Sequence, residues 1–213
     1  MAKRDVPAGD APYHHGDLRA ALLDATESLL DESGLEGFTL RECARRAGVS
    51  HGAPAHHFGD LRGLLTAFAA QSFDQLEVLT RAYMDAAQPG VYERLVANGV
   101  AYLDYALMHP ARFRLMFRSE RLDPADAVLQ RSASAVFGHF ESCMRAVLAA
   151  AGRPGSELTN DTTLAWAMVH GVATLMLDNR MFAGRVGDRE AARREFIGMM
   201  QRTRGVFEGG AAS

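Results

Sequence analysis

Residues 39–58, TLRECARRAGVSHGAPAHHF, constrain the fold more than any other stretch, because they spell two short helices joined by a tight turn. Thr39 and Glu42 form the pattern of a capping box, in which hydroxyl and carboxylate each satisfy an orphan backbone N–H at a helix start. A helix is expected from about Leu40, with Leu40, Cys43, Ala44 and Ala47 on one face and Gly48 supplying the positive φ that ends it. After a turn of about three residues, Ser50 is the expected N-cap of a second helix, and Ala44 is small enough to let the two cross closely. Pro54 then falls in the first turn, where a missing N–H is tolerated. The pair is a helix-turn-helix, and its second helix is the candidate recognition helix; two packed helices of an ordinary all-helical protein are the alternative.

The flanks narrow that choice. Residues 13–65 run YHHGDLRAALLDATESLLDESGLEGFTLRECARRAGVSHGAPAHHFGDLRGLL. An amphipathic helix ends at Gly34, the entry Phe38-Thr39-Leu40-Arg41 follows, then the turn from Ala44 to Val49, then the exit His57-Phe58-Gly59-Asp60 with Leu64 and Leu65. This ordered set resembles the N-terminal domain of the TetR/AcrR family of bacterial transcriptional regulators. The resemblance implies an N-terminal three-helix DNA reader, a larger helical domain that binds a small molecule and dimerises, and repression of transcription. Three positions depart from the family pattern. Ala55 stands where an aromatic phosphate contact is usual, Leu61 where a lysine usually meets the backbone, and Arg62 where glutamate is frequent.

The rest of the chain reads as helix throughout. Within residues 17–33, Leu18, Ala21, Leu22, Ala25, Leu29 and Leu30 share one side, with Arg19, Asp24, Glu27 and Asp31 opposite. Asp60 caps a helix of over twenty residues that carries Leu64, Leu65, Phe68, Phe73, Leu76 and Leu79 towards Met84. Gln88-Pro89-Gly90 breaks it, a helix over 91–108 ends at His109-Pro110, and a short piece follows over 111–118. Asp123-Pro124 opens a long helix to Gly152; beyond the loop from Gly152 to Ser156, two more are expected over 160–182 and 188–207. The fold class is therefore all-α, about nine helices, divided as 1–60 (arm and helix-turn-helix), 61–88 (linking helix) and 89–213 (ligand-binding and dimerisation domain).

Composition limits the function. A chain of 213 residues with 48% hydrophobic and 23% charged residues is an ordinary soluble chain able to bury a core. No apolar run approaches a membrane span, and MAKRDVPAGD lacks the apolar core of a secretory signal, so the expected location is the cytoplasm with no membrane partner. Cys43 and Cys143 lie in apolar helical patterns and read as buried free thiols. No Gly-rich phosphate loop, HExxH, GxSxG or CxxC is present, and His14-His15 and His56-His57 are adjacent pairs that diverge on a helix. Neither an enzyme, a cofactor nor a metal site is expected, with His109, His139 and His170 left as the set that folding alone could bring together.

The formal net charge of −3 opposes DNA binding, and residues 1–60 carry six basic residues against ten acidic. Local field matters more than total. Between Arg41 and Arg62, four arginines face two acids, and five of the eight histidines lie between His14 and His57. Lys3 and Arg4 offer a short basic arm or plain solvation. The start of the recognition helix, His51, Gly52 and Ala53, with His56 further along, is the candidate set for base edges; Thr39, Arg41, Arg45, Ser50 and His57 are the candidates for phosphates. Arg45 and Arg46 have the alternative role of balancing nearby acids. The partner is then double-stranded DNA.

In the second half, Tyr102, Tyr105, Phe113, Phe117, Phe137, Phe140, Trp166 and His170 either line a cavity for a small apolar or amphipathic effector or form a helical core. Trp166-Ala167-Met168-Val169-His170-Gly171 resembles the tryptophan-His-Gly motif of one TetR-like subgroup. The last two helices show the stripes Leu164, Met168, Val172, Leu175, Met176 and Phe196, Met199, Met200, Thr203, Phe207. As the resemblance implies, these would form a four-helix homodimer interface on a palindromic operator; packing within their own domain is the alternative. A second functional class stays open: a small-molecule-binding or protein-interaction module whose DNA reader has degraded, marked by Ala55 and Leu61.

Histidines beside phosphates favour their charged form. DNA affinity at fixed salt is therefore expected to fall as pH rises from about 6 to 8, around the reference histidine titration. A pH series of binding isotherms checks this, and a flat series contradicts it.

Overall fold

The computed structural model describes residues 15–153, 155, 158–178 and 188–208. Nine α-helices lie among them: α1 (His15–Ser33), α2 (Leu40–Arg46), α3 (Ala53–Phe58), α4 (Leu61–Asp85), α5 (Val91–Met108), α6 (Pro110–Met116), α7 (Ala127–Ala150), α8 (Leu158–Leu177) and α9 (Arg189–Glu208). A single 3-10 turn, Ser119–Arg121, precedes α7. No strand occurs among the described residues, as expected for an all-α chain. The chain divides into two units, Met1–Leu65 and Thr66–Ser213, with the boundary inside α4. The Lys3-Arg4 arm, His14 and the expected extension of the eighth helix to Phe182 lie outside the described residues.

In the first unit, α1 buries Leu22, Leu23, Ala25, Leu29 and Leu30. Its partner α2 presents Cys43 and Ala44, both wholly buried. Short side chains at these two points let the helices meet closely, and the buried polar groups there are satisfied locally. Thr26 Oγ1 donates to the Leu22 carbonyl at 2.8 Å, and Cys43 Sγ donates to the same carbonyl at 3.4 Å. Burial pushes the Cys43 thiol above its ordinary range, opposed by the Thr26 hydroxyl. Both cysteines are free and buried. The sequence pattern missed Leu23 and Thr26, which widen the apolar face of α1 beyond the six positions that periodicity picks out.

Local signals set the ends of the short helices. Thr39 Oγ1 accepts the Glu42 N–H at 3.2 Å, capping α2, and Gly48 at φ 68° turns the chain out of it. The reciprocal half of the capping box is replaced, because both Glu42 carboxylate oxygens take the Arg45 guanidinium instead. Ser50 does not cap α3; the helix starts at Ala53 with Gly52 before it. A start at Ser50 would have asked Pro54 for an N–H that it lacks. The Ser50 carbonyl accepts the Ala53 N–H in a turn instead, at 3.0 Å, which leaves Pro54 at the helix beginning where no donor is needed. Asp60 caps α4 through the Gly63 N–H at 2.8 Å.

In the second unit α5 is central: it packs against α6, α7, α8 and α9, and Tyr92, Leu95, Leu103 and Tyr105 are among its fully enclosed side chains. The cap of α7 is Asp126, whose Oδ1 accepts the Val128 and Leu129 N–H groups at 2.9 and 2.8 Å. The expected opening at Asp123-Pro124 instead forms the turn before it, where Asp123 Oδ1 accepts the Ala125 N–H at 3.0 Å. Of the stripe expected on the last helix, Phe196, Met200 and Phe207 are buried. Phe196 meets α5 at Gly99, and the Tyr92 hydroxyl donates to the Met200 carbonyl. These α9 residues therefore belong to the core of their own unit.

A Cβ added at Gly99 would stand 2.7 Å from Phe196 Cζ, and Phe196 is fully buried. Gly99→Ala is expected to cost about 1–3 kcal/mol through overpacking, read as a lowered denaturation midpoint; an unchanged midpoint would show that α9 yields freely.

Candidate functional site

The sequence-expected DNA contacts fall on α2, on the turn after it and on α3. Thr39, Arg41, Arg45 and Ser50 are exposed, as are His51, Gly52 and His56; Ala53 and His57 are half-buried. Ala55 is exposed, and Pro54 is buried beneath the helix start. The first unit therefore offers a short helix whose beginning and outer face stand open to solvent. The His56 and His57 rings meet edge to face with centroids 5.4 Å apart, and Arg19 lies over the Phe58 ring at 5.3 Å. That cation–π contact fixes the end of α3 against α1.

The electrostatics of this surface differ from a simple count of arginines. Arg45 pairs with Glu42 at 2.5 Å, and Arg46 pairs with Glu32 through two hydrogen bonds at 2.5 and 2.6 Å. Those hydrogen bonds hold both carboxyls below the usual range. Both pairs are exposed and so contribute little to stability, but they cancel charge locally. Arg41 is exposed and makes no ion pair among the described residues. It is the unmatched cation of α2, a distinction that spacing alone did not reveal.

The aromatic residues of the second unit mostly converge. Tyr102, Phe113, Phe117, Trp166 and His170 form one cluster: the His170 ring stacks on Trp166 at 5.1 Å and on Phe113 at 5.7 Å, and meets Phe117 at 4.6 Å. The Tyr102 hydroxyl lies 2.7 Å from His170 Nδ1. Phe137 meets Trp166 at 5.8 Å, and Phe140 joins Tyr102, Phe117, Phe137 and Trp166 around a cavity of about 20 Å³. That is room for about one water molecule. Tyr105 stands apart, with its ring on His109 and its hydroxyl donating to Gln75 Oε1 at 3.3 Å. Phe73, Thr80 and Asn98 also line the cavity. Thr80 and Asn98 carry no sequence signal, since a buried polar residue in a helix looks like a surface one.

Burial pushes the Tyr102 phenol far up, and the Trp166 N–H opposes this. The Trp166 N–H nevertheless lacks hydrogen-bond geometry to any acceptor and is buried. Burial depresses the His170 imidazole, whose Nδ1 shares a hydrogen bond with the Tyr102 hydroxyl. His109 and His139 are elsewhere: His139 bonds Glu77 at 2.8 Å, and His109 packs on Tyr105. Among the described residues no three His, Cys, Asp or Glu side chains converge as metal ligands, and no helix is long and apolar enough to cross a membrane.

A histidine depressed on folding binds fewer protons in the native state than in the unfolded one. Stability is then expected to decline as pH falls through about 6.5, the unfolded value, towards the lower folded value. Melting temperatures across pH 7 to 5 check this: His170→Phe should flatten the His170 part of the slope, and an unaltered slope contradicts the assignment.

The chain matches two models of one family in order. Residues 22–68 match the model for bacterial regulatory proteins of the tetR family, and residues 95–200 match the tetracyclin repressor-like C-terminal domain. It is 41% identical over 86 residues to the HTH-type transcriptional regulator BetI of Burkholderia thailandensis, and equally so to that of Burkholderia ambifaria. The match covers 40% of this chain and spans 44% of the length of those relatives. A protein of unknown function from Rhodococcus sp. RHA1 shares the fold at TM-score 0.74 with 29% identity, covering 96% of this chain and all of that one. A bacterial regulatory protein in the tetR family from Rhodococcus RHA1 does so at TM-score 0.67 with 18% identity, over 87% of this chain and 95% of that one. The helix-turn-helix of the first unit and the helical second unit thus follow one family in sequence as well as in fold, and the chain belongs to the TetR family of bacterial regulators.

Proposed function

We propose that the chain is a DNA-binding transcriptional regulator, a ligand-responsive repressor that acts as a homodimer on a palindromic operator. The observation that carries this reading is the open face of α3 and of the turn before it, where His51, Gly52 and His56 are exposed. In this reading His51, Gly52, Ala53 and His56 meet base edges in the major groove. Thr39, Arg41, Arg45, Ser50 and His57 hold phosphates, with Arg45 leaving Glu42 to do so. The BetI relatives support the reading by name, as HTH-type transcriptional regulators. Effector in the C-terminal unit acts by population shift: binding one arrangement of the reader better than another biases DNA affinity by that difference. The aromatic cluster around Tyr102, Phe117, Phe137, Phe140, Trp166 and His170 is the proposed effector site. Its small cavity requires these rings to part when ligand enters.

The homodimer uses the last two helices, chiefly the outward side of α8. Leu164 and Leu175 are 53% and 43% exposed there, Ala167 is exposed between them, and the space beside Gly171 is open. A stripe of this kind fits against its own copy across a two-fold axis. Leu164→Arg with Leu175→Glu is expected to yield monomers in sedimentation analysis; retained dimers place the interface elsewhere.

Gel shift against the DNA flanking the chain's own coding region tests the regulator. Specific retardation is expected, weakened about 5- to 150-fold by His51→Ala or His56→Ala if each loses a base contact of about 1–3 kcal/mol. Binding that is absent or wholly non-specific favours the degraded-reader alternative marked by Ala55 and Leu61. In the same assay, Arg62→Ala should flatten the salt dependence by about one charge if Arg62 replaces the lysine missing at position 61.

A further inference from the structure

Ligand-sized space in the second unit lies outside the aromatic cluster. A groove of about 640 Å³ runs between the end of α4, the start of α5 and one side of α9, within the range of small-molecule sites. Its wall is short and apolar: Ala82 from α4, Ala86 just past its end, Val96, Ala97 and Val100 from α5, and Ile197 from α9. Ile197 is 37% exposed. Tyr83 and Arg193 also line the groove, and behind both lies Asp104. The Tyr83 hydroxyl donates to Asp104 Oδ2 at 2.6 Å, and Arg193 Nε stands 3.5 Å from the same oxygen.

Asp104 is 5% exposed, and its Oδ1 is buried without a hydrogen-bond partner. A buried carboxylate with an unsatisfied oxygen is costly, and a charged donor brought to it recovers more than a neutral one. Arg193 meets this need incompletely. Its pair with Asp104 is long, and it divides its charge with Glu190, also at 3.5 Å. Its guanidinium stands off the Tyr83 ring at 5.7 Å, near the outer limit of a useful cation–π contact. Glu93 adds a second carboxylate to the lining, held by Arg204 at 3.0 Å. The groove thus joins an apolar wall to an aromatic face, with the under-served Asp104 behind its Tyr83 and Arg193 lining.

We propose that this groove binds an amphiphilic amine, with its apolar body on the alanine and valine wall and its ammonium displacing Arg193 to bond Asp104 beside the Tyr83 ring. An ammonium carries three donors on a compact charge, so it reaches both the carboxylate and the ring. A carboxylate-headed amphiphile meets Asp104 and Glu93 as like charges, and an alcohol gains the wall without the ion pair. The site is separate from the proposed effector cavity, and its occupancy does not depend on whether the chain binds DNA.

Calorimetric titration of the full chain with n-octylammonium, 1-octanol and octanoate at neutral pH tests the proposal. Octylammonium is expected to bind once per chain and about tenfold or more tighter than octanol, the effect of one charge-assisted hydrogen bond, with octanoate weakest. Asp104→Asn should remove the preference for the ammonium. Ala97→Leu, which narrows the groove without touching the carboxylate, should weaken both octyl ligands. Trp166 is the single tryptophan and belongs to the aromatic cluster, so its emission should stay constant as the groove fills. Equal affinity for ammonium and alcohol, binding indifferent to Ala97→Leu, a shift of Trp166 emission on saturation, or no binding because a second copy covers the groove would each overturn the proposal.

Discussion

The reader depends on the close approach of α2 to α1 at Cys43 and Ala44. Both side chains are fully enclosed, and both are small, so the backbones meet closely. A larger residue at either point would push α2 outward and carry the turn and α3 with it. The Cys43 thiol and the Thr26 hydroxyl share the Leu22 carbonyl, which keeps this narrow junction free of unpaired polar groups. With α2 fixed, Gly48 and the turn at Ser50 determine where α3 begins, and hence which side chains face outward.

The second unit is organised differently, around a helix buried on most sides. Gly99 of α5 lets the Phe196 ring sit against the backbone, and Tyr92 ties α9 at Met200. The aromatic side of α5, at Tyr102, closes over the cavity shared with α7 and α8. One helix therefore borders both the aromatic cluster and, through Val96, Ala97 and Val100, the groove beside α9. The proposed effector site and the proposed amine site therefore lie on two sides of the same helix, and Trp166 borders only the first.

Much of this was legible in the sequence because it is periodic or punctuated. The bounds of α5 follow from Gly90 and His109-Pro110, the C-terminus of α2 from Gly48, and the start of α4 from Asp60. Convergence of Trp166 and His170 follows from their spacing of one helical turn. What escaped depended on which of several possible partners each group takes. Ser50 looks like an N-cap until Pro54 is asked for its N–H; Glu42 looks like half of a capping box until Arg45 claims it. The stripe of Phe196, Met200 and Phe207 has the same spacing whether it faces a second subunit or α5, and the contacts with Gly99 and Tyr92 separate the two. Asp104 reads as a solvated residue on a helix, and its burial behind Tyr83 and Arg193 has no local signal at all.

In the proposed function, α3 and its preceding turn read DNA as one half of a symmetric pair. Hydroxyl-radical footprinting of the chain on the DNA flanking its own coding region tests this most directly. Two protected half-sites related by two-fold symmetry are expected, spaced by about one helical turn or a multiple of it. A single protected half-site, or protection spread evenly without a boundary, would contradict it.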